Sequence, residues 1–170
     1  MNDEEPFDGP FPGFPGPHGD DGAVPPQRCA GTVCTAYVLL EAIVSPHLAV
    51  PVPARLRYRS HDPYTVYLDN HIDLPRPVTW ALSRDVLLGG LHDWTGLGDV
   101  SVFPGLGTDA DSVFVSLRGQ DTAALLRARA DVVHAFLRWT ACVVPPGLES
   151  EHFDVETLLH RLREADPPGP

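Results

Sequence analysis

From Thr32 onward, apolar and polar positions alternate along much of the chain, the two-residue period of strands half buried against a core. "TVCTAYVLLEAIV", residues 32–44, is dense in β-branched and apolar side chains and reads as a long first strand. "SPHLAVPVP" follows, and its prolines mark a linker that excludes helix and central strand. Ala54, Leu56 and Tyr58 then alternate with Arg55, Arg57 and Arg59. "SHDP" supplies a turn, with Pro63 fixing the backbone and Asp62 able to bond it. Beyond it, Tyr64, Val66 and Leu68 alternate with Thr65, Tyr67 and Asp69. The run predicts a hairpin, apolar inside and polar outside. "PVTWALS" predicts a further strand, and Ser83 caps a short helix through "RDVLLGGL" that stops at Gly89 and Gly90. "GDVSVFP" and "DSVFVSLRG" predict two more strands, joined by the Gly-rich "GLGTDAD".

After "GQD" the period changes to about 3.6 residues. "DTAALLRARADVVHAFLRWTACVV", residues 121–144, reads as one helix with Leu125, Leu126, Val133, Phe136 and Leu137 as its apolar stripe. "PPG" ends it, and Asp154 caps a last amphipathic helix, "VETLLHRLREA". Strands followed by helices, with no βαβ repetition, define an α+β, antiparallel, β-rich domain with C-terminal helices. Residues 1–28 hold seven prolines and five glycines. Such a segment buries too little apolar surface to offset its ordering entropy and is expected to be a disordered tail. The expected division is a tail over 1–30, a folded domain over 31–166 and a short tail over 167–170.

Charge narrows the partners. The formal net charge is −11: residues 1–32 hold six acidic side chains against Arg28, and the rest holds 17 acidic against 11 basic. Both parts repel a polyanion, which argues against nucleic acid and anionic membrane. All twelve basic residues are arginine, which with the abundant Ala, Gly, Pro and Val marks a GC-rich genome. Cys29, Cys34 and Cys142 form neither an even framework nor a CxxC pair, and read as reduced thiols. Cys34 and Cys142 lie in apolar runs and are expected to be buried, as are Trp80 and Trp139. The acidic, Pro-rich start is no signal peptide, and the longest apolar run is interrupted by Glu41 and too short to span a bilayer. A soluble cytoplasmic protein is expected.

Candidate chemistry is sparse. His and Asp recur together in "SHDP", "NHID", "LHDW" and "EHFD", but acid–base or metal chemistry needs such groups to converge in space. No HExxH, GxSxG or Cys–His signature occurs. "TGLGD" leads into a strand where a dinucleotide motif needs a helix, and "DADS" lacks the calcium-loop glutamate. No catalytic residue, metal ligand or cofactor is assigned. The arginine row could grip phosphates, but Tyr58 lies on the opposite face and the domain is acidic. It is read as a solvated or intersubunit face, with a single-stranded nucleic-acid module as the alternative.

"VPVPARLRYRSHDPYTV", "WALSRDVLLGGL", "TGLGDVSVFP" and "FLRWTACVVPPGLESEHFDVETLLHRL" occur in register. Together they resemble the SsgA-like sporulation and cell-division proteins of actinomycetes, over residues 33–163. The resemblance implies a whirly-like domain assembled as a trimer, without enzymatic activity. It implies septum placement through contacts with the tubulin-like division GTPase or another SsgA-like protein. On matched positions it makes Arg57, Arg84 and Asp85 exposed contact residues, and with Arg55 and Arg59 they form the candidate interface. Arg57→Glu is then expected to weaken assembly or partner binding with little change in thermal stability.

Overall fold

The computed structural model describes residues 27–119 and 123–153, with the backbone alone over 27–30. A short strand, β1 (Gln27–Ala30), turns into the long β2 (Val33–Ser45), β3 (Leu48–Arg59), β4 (Asp62–Asn70) and β5 (Val78–Ser83). Helix α1 (Arg84–Gly89) leads into β6 (Thr95–Leu97), β7 (Val100–Pro104), β8 (Ser112–Arg118) and β9 (Ala123–Arg129). Helices α2 (Ala130–Val143) and α3 (Glu149–His152) follow. The sheet runs β5-β4-β3-β2-β9-β8-β7-β6, every pairing antiparallel. Two meanders therefore meet at β2 and β9. The free side of β2 is shared: β1 pairs with Val33–Ala36, and β9 with Glu41 and Ala42.

The predicted alternation sets the core. Ala36, Val38 and Leu40 of β2, Leu56 and Tyr58 of β3, and Val66 and Leu68 of β4 are buried on one face. Val113, Val115, Leu117 and Leu126 continue that face on the other meander, and Val133, Phe136 and Leu137 of α2 close it. Fully burying a side chain of this size contributes roughly 2 kcal/mol, so the fold rests on this one stripe. Ser83 caps α1 as expected, its hydroxyl accepting from the Val86 N–H at 3.4 Å. Gly90 lets the end of α1 lie against β7, since a Cβ there would sit 2.2 Å from Val102 Cγ1. Gly98 holds the β6–β7 turn at φ +59°, a conformation other residues adopt at a cost.

Several expectations are corrected. The helix predicted over 121–144 begins only at Ala130; Ala123–Arg129 is a strand. Seven register pairs with β8 and two with β2 supply backbone bonds that outweigh the helical preference of Ala, Leu and Arg. Leu126 is consequently buried and Leu125 turns to the other face. Of the predicted linker, Pro46 and His47 are a turn, but the part from Leu48 on is strand, since Pro51 and Pro53 lie within β3. Over that stretch β2 is the one strand paired with it among the described residues, β4 joining at Ala54↔Asn70, and such an edge tolerates proline. Asp62 and Pro63 belong to β4, and the turn is Ser60 and His61. Trp139 is 40% exposed and Cys142 is exposed, where both were expected to be buried. Residues 27–30 of the stretch assigned to the tail form β1; the remainder of that tail and the helix after Asp154 lie outside the described residues.

Candidate interaction face

The outer face of the β3–β4 hairpin holds the arginine row, and register across the turn decides its partners. Arg55 faces Asp69 and Arg57 faces Tyr67. Asp69 is 1% exposed and collects four hydrogen bonds. Arg57 donates through Nε at 2.6 Å and Nη2 at 2.8 Å, Arg55 through Nε at 2.9 Å, and Thr79 of β5 through its hydroxyl at 2.7 Å. Burial opposes ionisation of Asp69, but the bonds from Arg57, Thr79 and Arg55 outweigh it and bring the carboxyl down to about 2. A charge-assisted, bidentate clamp therefore fixes three strands on their polar side.

Arg57 and Arg59 both lie over the Tyr67 ring, 5.4 and 5.9 Å from its centroid. The Tyr67 hydroxyl donates to Asp62, and that bond, with burial, pushes the phenol up. Among the described residues, Arg59 makes this ring contact and no ion pair. Arg55 meets Asp69 through Nε alone, which leaves its terminal nitrogens to solvent at 33% exposure. These two side chains are the available donors of the face. Asp69 and Thr79, absent from the expected interface, complete it; a count across the "SHDP" turn sets Arg55 opposite Leu68, and the register shift between Tyr58 and Arg59 moves Asp69 into that place.

Arg84 departs from expectation. It is 5% exposed, inside the molecule, with its guanidinium 5.1 Å from the Tyr58 ring centroid. Its Nη1 donates to the Tyr58 hydroxyl at 3.1 Å and to Glu149 at 3.4 Å. Tyr58 in turn donates to the Pro63 carbonyl at 3.0 Å, and burial raises its phenol. Arg84 thus ties α1, the hairpin and the start of α3 together from within, because the strand-to-helix junction at Ser83 turns it inward. Asp85 is exposed in the first turn of α1, apart from the arginine row. His61, His71 and His92 stand at or beside three separate turns, His152 lies in α3 and Asp154 is outside the described residues; among the described residues no three of His, Cys, Asp and Glu gather as metal ligands. Among them, too, no helix is long and apolar enough to cross a membrane.

The arrangement is that of a β-sheet scaffold with a pre-ordered polar outer face. A family model described as "Streptomyces sporulation and cell division protein, SsgA" matches residues 52–149. The sporulation-specific cell division protein SsgB of Streptomyces coelicolor is 39% identical over 135 residues, covering 79% of this chain and 98% of its own. SsgB of Salinispora tropica is 40% identical over 116 residues, 67% of this chain and 81% of its own. Two solved structures superpose at TM-score 0.68. One, from a study of SsgB mutations and longitudinal cell division during sporulation of S. coelicolor, is 39% identical and covers 72% of this chain and 96% of its own. The other, an SsgA-like sporulation-specific cell division protein from Thermobifida fusca, is 31% identical, covering 79% and 98%. The chain belongs to the SsgA family of sporulation and cell-division proteins.

Proposed function

We propose that the chain is a non-enzymatic regulator of sporulation-specific cell division that helps place septa through protein–protein contacts with the division machinery. The observation that carries this reading is the arginine face: Arg55 and Arg59 present donors from a platform that Asp69 and Tyr67 hold rigid. A rigid polar contact loses little side-chain entropy on binding. The partner is the tubulin-like division GTPase or another SsgA-like protein; the acidic charge disfavours nucleic acid. The protein is cytoplasmic and joins the septum by recruitment, without inserting in the membrane.

Self-assembly belongs to the same reading, with a trimer on a whirly-like domain as the form. Val44, Leu48 and Val50 continue the core-side row along the β2–β3 hairpin past its cover and are 63%, 52% and 44% exposed. A second copy would bury them. A homo-oligomer repeats one contact face several times and gains avidity for a polymer. Co-sedimentation of the full chain with polymers of the division GTPase tests the proposal. Saturable pelleting that Arg59→Glu weakens severalfold is the expected result. Pelleting indifferent to Arg59→Glu removes the arginine face from the contact, and no pelleting removes the polymer as direct partner.

A further inference from the structure

β5 closes its side of the sheet: Val78–Ser83 pairs with β4 and, among the described residues, with no other strand. Among the described residues, one side of its backbone is therefore open over six residues. Proteins blunt such edges with proline, charge or shortness. The opposite edge follows that habit, for β6 has three residues with Gly96 at their centre. β5 does not. "VTWALS" carries neither charge nor proline, and Val78, Thr79 and Ala81 are exposed.

Register gives any added strand two distinct faces. Val78 and Trp80, opposite Asn70 and Leu68, offer apolar surface on the core side, where Val78 is 51% exposed. Thr79, opposite Asp69, lies on the outer side, where its hydroxyl and Arg55 Nε bond the same carboxylate. Arg76, exposed, stands just ahead of the strand. In a chain of net charge −11, this corner carries arginines whose charge is not fully matched.

We propose that the β5 edge takes up an extended segment of a partner protein as an additional strand, with apolar side chains inward and carboxylates outward. Backbone pairing supplies the affinity, and the alternate side chains the selectivity. Carboxylates beside Thr79 meet Arg55 and Arg76, whereas basic side chains there are repelled. The charge preference rests on the arginine face being partner-facing; the strand pairing rests on the open edge alone.

The test titrates the full isotope-labelled chain with three blocked heptapeptides, following backbone amide shifts by NMR. One alternates glutamate and valine, the second has arginine in place of glutamate, and the third is the first peptide N-methylated at every residue. The glutamate peptide is expected to shift the amides of Val78–Ser83 and saturate. The arginine peptide should bind about tenfold more weakly, and the N-methylated one should leave β5 unmoved. Arg76→Gln, an exposed change, should narrow the gap between the first two. Equal binding of the N-methylated peptide overturns strand addition and leaves the arginine face standing. Equal binding of the arginine peptide overturns the stated partner chemistry and counts against that face as well. No shift along β5, or shifts there that follow protein concentration alone, overturns the proposal, the latter because a second copy then holds the edge.

Discussion

Asp69 shows how one residue's role depends on what register places opposite it. With its carboxyl depressed to about 2, its charged form contributes stability that is present above the unfolded value of about 4 and is lost as pH falls through the folded one. The span corresponds to about 2 kcal/mol, for a group that is almost wholly buried. Asp69→Asn should lower stability by about that much near neutrality, and flatten its fall between about pH 4 and pH 2. Urea titrations at a series of pH values check this; a variant that keeps the wild-type acid slope shows the clamp to be inert. The same geometry corrects the expectation for Arg57→Glu. That change sets a second carboxylate against a buried one, so it attacks the fold before any contact.

Among the elements, the hairpin over 54–69 and the strands β7 and β8 were legible because alternation over five to nine residues leaves one face apolar whatever lies around it. β9 was not, since "AALLRAR" satisfies local helical preference and owes its strand to neighbours remote in sequence. Arg84 was misplaced for a related reason: nothing local tells whether the first residue after a strand points in or out. A peptide of residues 121–144 separates local from tertiary control. In isolation its Cα shifts over Ala123–Arg129 should lack strand character; persistent strand shifts there would mean that the segment chooses its own conformation. Arg55, Arg57 and Arg59 were readable as a polar row, but their pairing, and hence which nitrogens remain available, depended on register.

The molecule as a whole is two local meanders held by a long-range seam. Each meander is made of neighbours in sequence, whereas Glu41 and Arg127, bonded across the seam at 2.7 Å, are 86 residues apart. Among the described residues, Glu41↔Arg127 and Ala42↔Leu126 alone form its ladder. That division sets a time order. Hairpins close quickly, and the seam must wait for a loop whose closure costs entropy before any contact rewards it. Leu126→Ala, at a buried seam position, should cost about 3 kcal/mol. Much of that loss should appear as slower folding in a stopped-flow chevron, as expected of a contact made at the barrier. If the loss falls wholly on the unfolding arm, the seam zips after the barrier. If the folding arm slows, a short stretch of β2 is the pacemaker for the whole chain.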